Sequence, residues 1–237
     1  MRYKIIVIND YDWNEIDFTL QKQGYAILPS LLSETVCNEF RELYDLDELF
    51  RKKISMHRHG YGKGEYKYFD YPLPERIQTL RNDLFGKITI IANEWSEISG
   101  ESIKFPETLS KYIMRCHKAG QTRPTPLLLK YKAGDYNCLH QDIYGYLMFP
   151  FQVAILLSVP GVDFTGGEFV ITNSLSGSPS IVEVIPLNQG DAVIFAVHSR
   201  PVGGKGGRIR KAKIRHGVSK IDSGERKTLG LIFHDSN

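Results

Sequence analysis

Cysteine is scarce: Cys37, Cys116 and Cys138 are the only three in 237 residues. An odd, scattered set with no Cys-x-x-Cys pair excludes a disulfide framework and a zinc ribbon, and all three read as buried thiols. No hydrophobic run is long enough to span a bilayer. The opening Met1-Arg2-Tyr3-Lys4-Ile5-Ile6-Val7-Ile8 lacks the apolar core and small-residue cleavage site of a signal peptide, and reads as a strand of a cytoplasmic protein. There is no internal repeat and no low-complexity segment. The net charge of +3 is too small to name a partner class by itself.

The length fits one large domain, or a β core with helical additions. Two kinds of pattern divide it. Up to residue 124 the chain reads as a mixed, mainly helical support region. Residues 12–23 form a short helix stopped by Gly24, with a strand at Tyr25–Leu28. Ser33 caps a helix carrying Val36, Phe40, Leu43 and Leu46 to about Lys52. His57–Asp70 mixes glycines with basic and aromatic residues, as an ordered loop or hairpin over a surface. Ile77, Leu80, Leu84, Ile88, Ile91, Trp95 and Ile98 make the clearest helical stripe, ended by Gly100 and suited to buttressing a sheet. A further helix covers about Glu107–Lys118. From Thr125 to Asn237 the pattern turns to short strands separated by Gly and Asp turns. Eight are expected, at 127–132, 137–143, 152–158, 167–172, 181–185, 191–197, 211–217 and 226–233. The fold class is therefore α+β, a jelly roll or double-stranded β-helix of cupin-like form with N-terminal buttressing helices.

The chemistry gathers at Cys138-Leu139-His140-Gln141-Asp142. Two positions apart on a strand, His140 and Asp142 leave the same face, while Gln141 points away. An imidazole and a carboxylate can then share one ion. His216 supplies a second imidazole, and two histidines with one carboxylate on one face of octahedral Fe(II) leave three positions open. A chelating co-substrate can fill two of them and O2 the third. Its far carboxylate needs a fixed cation, and the guanidinium of Arg226 offers bidentate geometry and permanent charge. Thr228, on the same face of that strand, can add a hydroxyl. His198 is the rival distal histidine.

This constellation resembles the Fe(II)/2-oxoglutarate-dependent dioxygenase superfamily, strongly over Thr125–Asn237 and again at Gly24–Ser33. The resemblance implies His140, Asp142 and His216 as iron ligands and catalytic residues, Arg226 as the 2-oxoglutarate anchor, and Tyr131 as a hydrogen-bond partner of that co-substrate. It favours His216 over His198, because Arg226 then falls at the family's position. Fe(II), 2-oxoglutarate and O2 are the implied cofactors, and C–H hydroxylation with release of succinate and CO2 the implied reaction. Halogenating relatives usually lack the carboxylate that Asp142 keeps, so hydroxylation is expected.

The substrate stays open between readings. The stretch His216–Leu229 resembles the distal motif of prolyl hydroxylases. The wider pattern Leu128–Phe233 resembles a bacterial, nucleic-acid-type oxygenase family grouped with the AlkB-type demethylases. Arg200, Lys205, Arg208, Arg210, Lys211, Lys213 and Arg215 form a basic stretch without an acidic residue, a candidate contact for single-stranded or damaged nucleic acid. The basic and aromatic residues of 57–70 could stack on unpaired bases. A small-molecule or amino-acid hydroxylase is the further enzymatic alternative, and a non-catalytic jelly-roll binding module the other class.

Overall fold

The computed structural model describes residues 8–143, 145–204 and 207–237, and of Arg58 and His59 the backbone alone. The expected N-terminal strand falls largely outside them, with Ile8 opening a 3-10 turn. Lys205 also lies outside. Helix α1 (Trp13–Gln23) starts where the Asp12 carboxylate accepts from the amides of Asn14 and Glu15, and stops at left-handed Gly24. After β1 (Tyr25–Leu28), α2 (Glu34–Glu42) begins behind a Ser33 cap.

The helix expected to reach Lys52 ends ten residues early. Two 3-10 turns, Leu43–Asp45 and Asp47–Leu49, lead instead to strand β2 (Phe50–Ser55). Leu46, placed on the expected apolar stripe, is 43% exposed, so no packing surface carries the helix onward. The 57–70 segment contributes β3 (Gly62–Lys63) and β4 (Glu65–Phe69). Then come α3 (Glu75–Ile98) and α4 (Leu109–Lys118).

The remaining strands are β5 (Leu127–Lys132), β6 (Tyr136–His140), β7 (Phe151–Leu156), β8 (Phe164–Gly166), β9 (Phe169–Ser174), β10 (Ile181–Ile185), β11 (Ala192–Ala196), β12 (Ser199–Gly203), β13 (Ile209–Val218) and β14 (Ile221–Ile232). Two antiparallel sheets result. The major sheet runs β1-β11-β7-β14-β5-β4-β2, with β8 paired to β14; the minor runs β10-β9-β13-β6-β3, with β12 paired to β13. This is the expected jelly roll, extended by four strands from before residue 125 and by β8 and β12.

Helix α3 buries its apolar stripe against the outer face of the major sheet. Trp95 meets Phe151 edge to face at 4.6 Å between centroids, and Phe85 packs on Phe149 and Phe233. Ile98, the last residue of the stripe, is exposed. Beneath the helix, Arg81 donates to the Ile232 carbonyl and to Asp235, both side chains fully buried. His117 and Tyr71 complete the Asp235 carboxylate's partners. The C-terminal end of β14 is thereby fastened to the helical layer.

Candidate metal centre and co-substrate pocket

Strand register brings the two histidines together. His216 of β13 stands directly opposite His140 of β6. Strand β6 ends at His140, short of the expected 143, so Asp142 lies beyond the ladder rather than on it. Its position is fixed by its neighbour: the Gln141 amide donates to the carbonyls of His198 (2.7 Å) and Ile214 (2.8 Å), stapling the segment to the β12–β13 side. The Gln141 amide is thus engaged with backbone carbonyls, while the residue still borders the cavity.

The ligating atoms of His140, Asp142 and His216 all lie within 4.8 Å of one another. His140 Nε2 is 3.3 Å from Asp142 Oδ1, and His216 Nε2 is 3.5 Å from Oδ2. His140 Nδ1 is 2.8 Å from the Cys138 carbonyl, which can only accept, so Nδ1 carries the proton and the Nε2 lone pair faces the cluster. His216 is buried, its ring 4.5 Å from Phe195 and stacked on Phe169. Burial, then the charge of His140, pushes its pKa down to about 3, so it is neutral at ordinary pH. Burial would raise the Asp142 carboxyl, but the neighbouring His140 and His216 imidazoles and the nearby Gln152 amide outweigh it and hold the carboxyl at about 2. Two imidazole donors and an ionised carboxylate on one side of an open space fit an octahedral Fe(II) with free positions.

A cavity of about 300 Å³ extends from this cluster between the sheets. Arg226, Thr228 and Tyr131 line it further along. Arg226 and Tyr131 are register partners on β14 and β5, and Arg226 Nη1 donates to Thr228 Oγ1 at 2.5 Å. The guanidinium is 2% exposed, and no carboxylate among the described residues lies within ion-pair distance. Its Nε is buried without a partner. Burial lowers its pKa to about 10, which leaves it charged at neutral pH. A buried, uncompensated cation is costly, and an incoming carboxylate would relieve that cost. Burial raises the Tyr131 phenol, so it stays a neutral donor. The backbone behind Arg226 is tight. Gly167 sits at φ +67°, where a Cβ would lie 2.1 Å from Ile221 Cδ1 and 3.1 Å from Arg226 Cδ.

His198 is exposed, bonds Ser199 Oγ at 3.2 Å and does not line the cavity. From the 57–70 segment, Tyr61, Tyr66 and Tyr68 do line it. Along β13, Lys211, Lys213 and Arg215 alternate with buried Ala212, Ile214 and His216, so they project from the outer face of the minor sheet. Lys211 pairs with Glu101, and Arg200 donates to the Gln21 carbonyl. Sequence reasoning missed Gln152, a cavity-lining polar residue inside the apolar run Phe151–Leu157. Its polarity in that run was the available signal.

The architecture is that of the 2-oxoglutarate- and Fe(II)-dependent oxygenases. It superposes on a prolyl-4-hydroxylase from Pseudomonas putida with TM-score 0.58 and 11% identity, covering 95% of this chain and all of that one. An oxidoreductase of the 2OG-Fe(II) oxygenase family from Burkholderia pseudomallei gives 0.52 and 17%, covering 98% and 96%. In sequence the chain is 43% identical over 168 residues to an uncharacterised protein of Mycobacterium tuberculosis strains CDC 1551 and H37Rv, covering 71% of this chain and 72% of the relative. A family model, Oxygenase-NA, described as an oxygenase catalysing oxidative methylation of damaged DNA, matches residues 64–236. The chain belongs to that oxygenase family. Together the fold and the His–Asp–His cluster imply Fe(II) and 2-oxoglutarate. No helix among the described residues is long and apolar enough to cross a membrane.

Proposed function

We propose that the protein hydroxylates a substrate C–H bond using Fe(II), 2-oxoglutarate and O2, and that its substrate is a methylated nucleic-acid base. The observation that carries the reaction class is one cavity holding both a His–Asp–His cluster and a buried, carboxylate-free arginine. His140, Asp142 and His216 would hold the metal. Arg226 and Thr228 would take the distal carboxylate of 2-oxoglutarate, with Tyr131 donating a further hydrogen bond. The bound iron would supply the oxidising power for C–H cleavage. The protein's part is to orient the co-substrate, keep His216 neutral and Asp142 ionised, and shield the cavity from bulk water.

The family's description supports a damaged-DNA substrate. Inserting oxygen into a methyl group removes it rather than adding it, so the reaction is demethylation. N–CH3 with O2 and 2-oxoglutarate gives N–CH2OH, succinate and CO2; the hydroxymethyl group then leaves as formaldehyde and the base regains N–H. The exposed basic residues of β13 and its hairpin would follow phosphates outside the cavity.

Anaerobic titration with Fe(II) and 2-oxoglutarate tests the reading. The wild type is expected to develop a weak visible charge-transfer band, absent in His140→Ala. Arg226→Ala should need about 100-fold more 2-oxoglutarate, the loss of two charge-assisted hydrogen bonds. Iron that binds without any band would overturn the assignment.

A further inference from the structure

The metal cluster and the co-substrate anchor leave one end of the cavity unassigned. Along β14 the residues lining it are Arg226, Thr228, Gly230 and Ile232. Gln152 of β7 stands opposite Ile232, six residues from Arg226 and thus ~20 Å along the strand. It lies far from the anchor and serves neither it nor the sheet ladder. The side chain is 95% buried on a relative exposure of 5% and lines the cavity; its Nε2 has no partner at full hydrogen-bond geometry, the Asp142 carboxylate being the one group it approaches closely enough to influence. A buried amide donor without a partner costs about 1–3 kcal/mol, so such a group is kept for something that binds it.

The floor beside Gln152 is bare. Ala154 and Gly230 are register partners, and a Cβ at Gly230 would press on Leu127 at 3.2 Å. Across that floor, Leu127 leads to Tyr68 on β4, and Leu129 to Tyr66. Three strand spacings, ~14 Å, separate the Gln152 and Tyr68 strands, room for a flat ring between the two side chains. Tyr66 and Tyr68 meet edge to face at 5.3 Å, and the Arg51 guanidinium braces Tyr68 at 4.5 Å while donating to the Pro124 carbonyl.

We propose that Gln152 and the Tyr66–Tyr68 wall form the substrate-recognition end of the site, the amide bonding the edge of a flat heterocycle and the tyrosines packing on it. This rests on the nucleic-acid reading above. An amide edge carries a donor beside an acceptor, the complement of a nucleobase edge, whereas a prolyl ring offers no such pair. The rival role for Gln152 is to orient Asp142, to whose carboxylate its amide can donate a hydrogen bond.

The test uses full-length protein loaded anaerobically with Fe(II) and 2-oxoglutarate. The probe is a labelled single-stranded oligothymidylate with one central 1-methyladenine, its affinity read by fluorescence anisotropy. Gln152→Leu and Tyr68→Leu are each expected to weaken binding about 10-fold or more while the charge-transfer band and the Fe(II) requirement stay as in the wild type. Tyr68→Phe should bind as the wild type does. Unchanged oligonucleotide affinity in Gln152→Leu overturns the assignment, and so does a loss of Fe(II) affinity in step with it, which would make Gln152 a support of Asp142. A wild type that shows the band but oxidises a proline-rich peptide and ignores the oligonucleotide overturns the nucleic-acid reading itself.

Discussion

Arg226 owes its position to the residues packed around it. Gly167 leaves the space its Cδ occupies, Thr228 fixes one Nη1 hydrogen, and Tyr131 lies across the ladder with its hydroxyl 3.4 Å from Asn137. Tyr131→Phe is expected to raise the KM for 2-oxoglutarate about 5- to 10-fold, one neutral hydrogen bond, with an unchanged melting temperature. Gly167→Ala should do more harm, because the new methyl meets Ile221 and strains a positive φ. Thermal unfolding should show a loss of about 1–3 kcal/mol, with weaker 2-oxoglutarate binding. The candidate metal cluster was legible in the sequence through residue type and spacing: His140, Asp142 and His216 do converge. Gln152 stayed hidden because a buried polar group is recognised by what surrounds it, and its neighbours across the sheet, Phe195 and Ile232, are 43 and 80 residues away.

At the level of elements, the pairing of β2 with β4 adds to the major sheet two strands that are absent from the eight expected for the whole jelly roll. Helical spacing in 36–46 suggested a helix continuing through Lys52, whereas the strand at 50–55 exists because β4 is there to pair with it. Strand preference of this sort is set by tertiary partners, which one-dimensional periodicity does not carry. The α3 stripe was legible because it needs only one flat apolar surface. The hairpin is pinned by Glu65, whose carboxylate accepts from Lys53 (2.6 Å), Lys130 (2.7 Å) and Tyr44 (3.0 Å). Burial acts to raise its pKa, but the hydrogen bonds from Lys130, Lys53 and Tyr44 outweigh this and bring it to about 2. With the folded value depressed, the stabilisation is full above the unfolded pKa near 4.3 and is lost as pH falls toward 2. Glu65→Gln is therefore expected to cost about 1–3 kcal/mol at pH 7 and nothing near pH 2. Urea titrations at the two pH values check it.

For the molecule as a whole, the Arg81–Asp235 pair joins the helical layer to the sheet in a place closed to water. Arg81→Ala strips a fully buried carboxylate of its cation and leaves the Ile232 carbonyl without that donor. A loss of about 3–5 kcal/mol in denaturant unfolding is expected. Strand β14, to which the pair is fastened, is central: it pairs with β5 on one side and β7 on the other, and carries Arg226 and Thr228. It is also the last strand of either sheet to be synthesised. Until it emerges from the ribosome, β5 and β7 face each other across a gap with unpaired edges. The nascent chain thus passes through a sticky stage in which neither the Arg226–Thr228 pair nor the closed sheet exists, and any premature stop before Ile221 yields an open-edged, aggregation-prone chain rather than a weakened enzyme.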